Sequence, residues 1–235
     1  MRSCLIQLVL LFVVAFCLLW FALPLGVSTL ATGALNASGF SGTDTKVEVS
    51  ANPPPLLLTG HADKIHITSS QVSISDLHAA SVDVTLGDVD MLGRKIGTVS
   101  GTLDGVRVAA PNGDPVTIDE VTLDGSATAT TATSRMSVAT AQALVESQLK
   151  AQTGVAAKVV LKGPNLATIT INGKPQPGRL LTISGSLLLV PDGNTLPTVT
   201  LIAPGGGNPF RVTSVTVGLA GVMLVGTIDV QDLLS

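Results

Sequence analysis

Residues 137–154, Ser-Val-Ala-Thr-Ala-Gln-Ala-Leu-Val-Glu-Ser-Gln-Leu-Lys-Ala-Gln-Thr-Gly, carry the one convincing helix pattern outside the N-terminus. Val138, Ala141, Leu144, Val145, Leu149 and Gln152 recur at i, i+3, i+4 spacing, which gathers them on one face. Ser137 or Thr140 can cap the start, since a hydroxyl accepts from a free backbone N–H of the first turn. Gly154 can end it in the left-handed conformation that costs glycine least. From residue 46 to the C-terminus everything else reads as β-strand. One helix in a large β protein poses a covering problem. Strands lie ~4.8 Å apart and a helix is ~10 Å across, so one helix covers about two to four strands. The pattern holds roughly ten strands. The remaining apolar surface needs another cover, because a large exposed apolar patch is unfavourable or marks a binding site.

Two covers fit. A second sheet would make a dry, sandwich-like core. An apolar ligand in a groove would do the same work. The runs that are apolar on both strand faces, Leu56–Leu58, Val159–Leu161 and Leu187–Val190, are the candidate walls. Leu56, Leu58, Val159, Leu161, Leu187 and Leu189, with Leu144 and Leu149 from the helix face, are the expected apolar lining.

The strands are legible from alternation. Val47 and Val49 alternate with polar neighbours, as do Ile65 and Ile67, Val72 and Ile74, and Val82 to Leu86. Ala127 to Ser134 is a Thr/Ala run suited to a strand in close packing. After the helix, residues 155–161 and 167–171 read as strands, with Asn172-Gly173 as a tight hairpin turn. Residues 179–190 read as one long strand, and residues 198–202, 212–219 and 222–230 complete the chain. Strands, helix, strands with short connections suit antiparallel meanders.

At the N-terminus, residues 4–23 are almost unbroken apolar sequence behind Arg2. A run of about 20 residues is long enough to span a bilayer as a helix, while a cleaved signal peptide has a shorter apolar run and a small-residue cleavage site. Residues 1–23 are therefore read as a signal peptide or signal anchor, residues 24–44 as a flexible tether, and residues 45–235 as a β-rich domain with its helix near 138–153. Arg2 stays cytoplasmic under the positive-inside bias. The domain is thus expected outside the cytoplasmic membrane, anchored by the N-terminal segment or secreted after its cleavage.

Chemistry-bearing patterns are sparse. The two cysteines, Cys4 and Cys17, both lie in the N-terminal run, so the domain itself has neither disulfide nor thiol chemistry. Of the 13 basic residues one is Arg2, which leaves 12 against 16 acidic. A mildly acidic domain without basic runs argues against nucleic acid. His61, His66 and His78 lack metal-ligand spacing, and Asp88 and Asp90 read as turn acids, not a calcium loop. Residues 204–209, Pro-Gly-Gly-Gly-Asn-Pro, lack the Lys-Ser/Thr and the following helix of a phosphate loop. No Ser/His/Asp order or paired-carboxylate signature stands out. The reading is therefore non-catalytic, with no cofactor and no metal.

Several stretches together resemble a known family. They are Pro54-Pro-Leu-Leu-Leu-Thr-Gly60, Asp63-Lys-Ile-His-Ile67, Val82 to Val89, Ala139 to Leu149, Ala167-Thr-Ile-Thr-Ile171 and Phe210 to Val217. This succession resembles the LmeA family of phospholipid-binding bacterial envelope proteins, across roughly residues 45–234. The resemblance implies a mostly β, α+β fold: a curved antiparallel meander sheet wrapped around one central helix, similar to the tubular lipid-binding folds. It implies an apolar groove for acyl chains and carries no family-wide catalytic residues. The partner expected is a phospholipid or other acyl lipid, with the membrane reached through the N-terminal helix. Lys158, Lys174, Arg179 and Arg211 are candidate head-group partners. The alternative is a structural or protein-interaction β domain with a dry core.

Overall fold

Period-two alternation builds most of the molecule. The computed structural model describes residues 40–74, 77–109, 115–193, 196–204 and 210–232. The first six strands form a continuous antiparallel meander: β1 (Phe40–Ser50), β2 (His61–Ile74), β3 (Leu77–Asp90), β4 (Thr98–Ala109), β5 (Pro115–Ser126) and β6 (Ala129–Met136). The last two strands, β12 (Arg211–Gly218) and β13 (Gly221–Ile228), add to it in the order β6-β13-β12, which gives eight strands. β1 begins within the stretch read as tether.

The register explains why this sheet has two unlike faces. Val47, Ile67, Val84, Gly101, Leu123, Ala132, Gly226 and Val212 stand opposite one another on successive strands. One residue along, the row reads Glu48, His66, Thr85, Ser100, Asp124, Thr131, Thr227 and Arg211. Successive side chains point to opposite faces, so a slip of one residue on any strand would exchange an apolar for a polar position.

Helix α1 (Val138–Thr153) follows β6 directly. Ser137 Oγ accepts from Thr140 N at 3.0 Å, and Gly154, at φ 72°, donates to Lys150 O. Both ends match the sequence reading. Ala141, Val145 and Leu149 are buried on its inner face. Then come β7 (Lys158–Lys162), β8 (Leu166–Ile171), β9 (Lys174–Ile183), β10 (Ser186–Pro191) and β11 (Val199–Ile202), which form a separate five-stranded antiparallel sheet in the order β11-β10-β9-β8-β7. The strands thus divide into two sheets rather than one meander. The stretch 179–190, expected as a single strand, is a hairpin: Ser184 and Gly185 take φ of 52° and 82° and reverse the chain, pairing Leu188 with Leu181.

Polar contacts join the two sheets. β12, an edge of the large sheet, donates Val217 N to Pro164 O at 2.6 Å and Val212 N to Gly185 O at 2.8 Å. Two hairpin turns of the small sheet therefore satisfy that edge. α1 ties down both edges of the small sheet: Glu146 Oε1 accepts from Val159 N on β7 at 2.7 Å, and the Gln152 amide exchanges hydrogen bonds with the Thr200 backbone on β11. Occupied edges do not recruit other strands.

Candidate functional site: an apolar cavity beneath the helix

The main core, between α1 and the two sheets, has a filled half and a hollow half. In the filled half Leu149, Val159, Ile169, Leu189 and Val199 are at most 1% exposed. The hollow half is a cavity of about 730 Å³. Ala141, Leu144 and Val145 of α1 line one wall. Leu161, Leu180, Leu187, Leu201 and Ile202 of the small sheet line a second. A third belongs to the large sheet, with Ile118 and Val121 on β5, Ala132 and Ser134 on β6, and Leu224 and Ile228 on β13.

The hollow has a local cause. The large sheet presents small side chains here, Ala132 and Ser134, beside Gly226 in the next strand. A Cβ on Gly226 would come within 2.5 Å of the Phe210 ring, so this glycine gives Phe210 its place at the cavity wall. Among the described lining residues Ser134 and Gln148 are polar and none is charged. A space of this size falls within the range of small-molecule sites, which is about 300–1,000 Å³. Its lining offers van der Waals contact and no general acid, base or nucleophile pair. Among the described residues no group of three His, Cys, Asp or Glu side chains is placed to hold a metal. His66 stands on the opposite, polar face, 2.8 Å from Asp83. Asp90 is the turn acid its sequence context suggests, with Oδ1 accepting from Gly93 N at 2.8 Å.

The expected lining residues separate into three groups. Leu144, Leu161 and Leu187 line the cavity. Leu149, Val159 and Leu189 belong to the same core but pack in its filled half. Leu56 and Leu58 do not join this wall. They sit in the six-residue 3₁₀ helix Pro54–Thr59, where Leu56 packs on a second cluster around Val47, Val49 and Leu57, and Leu58 is exposed. A triple leucine there serves a helical turn, whose side chains spread around an axis instead of lining one face.

The four candidate head-group cations do not form one cluster. Lys158 and Lys174 are exposed at the end of the small sheet that holds the β8–β9 turn, since Lys158 pairs with Thr170 and Lys174 with Ile171. Arg179 lies along β9, 3.9 Å from Asp192. Arg211 follows the cavity-lining Phe210 in sequence but stands in the polar row of the large sheet, exposed, with its stem against Gly185. The wall from β5, β6, β12 and β13 escaped the sequence reading, which followed runs apolar on both faces. Its signal was the ordinary alternation of Val121, Ala132 and Leu224, together with Phe210, an isolated aromatic in an aromatic-poor domain.

Among the described residues no helix is long and apolar enough to cross a membrane. The apolar run read as a signal peptide or anchor lies outside them. In comparisons with known proteins the chain matches no family model, no curated protein and no solved structure.

Proposed function

We propose that this protein binds a phospholipid or another acyl lipid outside the cytoplasmic membrane, with acyl chain in the cavity beneath α1. The observation that carries the reading is a cavity of about 730 Å³ walled mostly by aliphatic side chains, with no charged side chain among its described lining residues. Such a lining favours a long apolar ligand, because each buried CH₂ contributes about 0.8 kcal/mol. A dozen methylenes would outweigh the entropy of ordering one chain. Arg211, next in sequence to Phe210 but on the polar side of the sheet, is the candidate cation that would have to reach round the sheet edge to meet a phosphate at that end. Lys158, Lys174 and Arg179 stay solvated in this reading. The two sheets curve about α1 to enclose the chain, and the N-terminal apolar run keeps the domain at the membrane. The succession of motifs that resembles the LmeA family points the same way.

Photo-crosslinking tests this on the full-length protein. A phospholipid with a diazirine near the end of one acyl chain is incorporated into vesicles with the protein, and the adducts are mapped by peptide mass spectrometry. Adducts are expected on α1, β13 and the segment around Phe210. Adducts confined to residues 1–39 would contradict the proposal, since the lipid would then be touching only the apolar run.

A further inference from the structure

A second feature stands at one end of the large sheet, made of residues that do not line the cavity. The 3₁₀ helix Pro54–Thr59 and the turn after β3 form a single knob. Met91 N donates to Gly60 O at 2.8 Å, and a Cβ on Gly60 would lie 2.6 Å from Leu92 Cγ, so Leu92 lies across that glycine. Leu58 is 67% exposed, Leu92 79% and Met91 36%. The knob is held firmly. Asp90 and Lys95 exchange both backbone hydrogen bonds at 2.9 Å. Gln231 donates to Arg94 O at 2.7 Å and accepts from Ile96 N at 2.9 Å. A pinned turn that keeps two leucines and a methionine in water gains nothing from them in folding.

We propose that this knob is a membrane-docking tip. Leu58, Met91 and Leu92 enter the interfacial layer of a bilayer, and Arg94 and Lys95, exposed in the same turn, meet anionic head groups. Two of the nearby acids are turned onto backbone amides: Asp90 onto Gly93 N and Asp63 onto Asn52 N. Asp88 is exposed at the base of the turn. A bilayer suits this knob better than a protein partner does. Three convex side chains fall far short of the ~800 Å² per partner that a stable protein interface buries, whereas a bilayer needs no matching groove. The chain also brings its own membrane segment. β1 begins at the end of the sheet opposite the tip, about 35 Å from it; residues 24–39 can span up to ~55 Å, enough to run back that distance, so the tip can reach the bilayer that holds the apolar run. The tip lies at the same end of the sheet as Ile228 and Phe210, because Ala127 N bonds Gly97 O and Thr130 pairs with Ile228. Docking therefore turns that end of the cavity toward the lipid. The inference stands on the knob itself and does not depend on what the cavity holds.

The test uses the full chain carrying Cys4→Ser and Cys17→Ser, reconstituted in vesicles of equal parts phosphatidylglycerol and phosphatidylcholine. A nitrobenzoxadiazole probe is attached separately at Leu92→Cys, Leu58→Cys and Leu219→Cys. Leu219 is exposed in the turn between β12 and β13, at the opposite end of the sheet. Expected are blue-shifted emission and quenching by lipid-borne nitroxides at positions 92 and 58, with an aqueous spectrum at 219. Adding Arg94→Glu and Lys95→Glu should return the probe at 92 to its aqueous spectrum. Aqueous spectra at 92 and 58 would overturn the proposal and leave the knob for a protein partner. Equal shifts at all three positions would also overturn it, as they would mean that the dye alone partitions.

Discussion

Gly226 shows how much of the site turns on single atoms. Its missing side chain makes room for the Phe210 ring, and Phe210 lines the cavity. Gly226→Ala should push the ring out of place at about 1–3 kcal/mol, the usual cost of overpacking. Lipid occupancy should fall with it, while Gly218→Ala, where an added Cβ meets nothing within 4 Å, should leave occupancy unchanged. Leu149 makes the opposite case. It lies in the filled half with no exposure, so Leu149→Ala should cost about 2–5 kcal/mol. Urea titration would register this as a lower midpoint at constant slope. Neither role shows in the sequence, where Gly226 is one of 24 glycines and Leu149 one of two leucines on the helix face. Which side of a core is filled depends on what three separate elements bring to it.

At the scale of elements, α1 works as a clasp. It packs between the sheets and holds β7 through Glu146 and β11 through Gln152. Gln152→Ala should cost about 1 kcal/mol, as expected for a lost hydrogen bond, and should speed hydrogen exchange at the Thr200 amide while leaving the amides of β2 and β3 unchanged. Ser137→Ala should likewise cost about 1 kcal/mol through the lost cap, read as a lower thermal midpoint. Elements with local signals were legible in the sequence. The helix ends are fixed by Ser137 and Gly154. The β8–β9 turn is fixed by Asn172-Gly173, whose φ of 50° and 77° are those the dipeptide tolerates. Ser184-Gly185 makes the same kind of turn, yet the apolar residues on both sides, Leu180 to Ile183 and Leu187 to Val190, read as one uninterrupted strand. In that stretch the turn signal is two residues long and the strand signal ten. The role of Gln152 was not legible either, because its partner is a backbone 48 residues away.

At the scale of the molecule, the sequence posed the covering problem correctly and the structure answers it in parts. The small sheet and α1 cover one region of the apolar face, and the 3₁₀ helix covers another around Val47 and Val49. Between them Val82, Leu103 and Val121 are only partly buried around Val72, Ala79 and Val106. The division into two sheets was not legible, since period-two alternation marks a strand without naming its neighbours. That depends on long-range pairing such as β6 with β13, which joins residues nearly a hundred positions apart. The cavity follows from this assembly, and the lipid reading rests on it. Native mass spectrometry of the full-length protein, released from detergent beside an Ala132→Phe/Ala141→Phe variant that narrows the cavity, is the most direct test. Excluding about three methylenes should cost ~2 kcal/mol, more than tenfold in affinity. The account predicts a phospholipid retained by the native chain and lost from the variant while both remain folded. Equal lipid content in the two, or none in either with no uptake of added lipid, would contradict it and leave a dry-cored surface domain in its place.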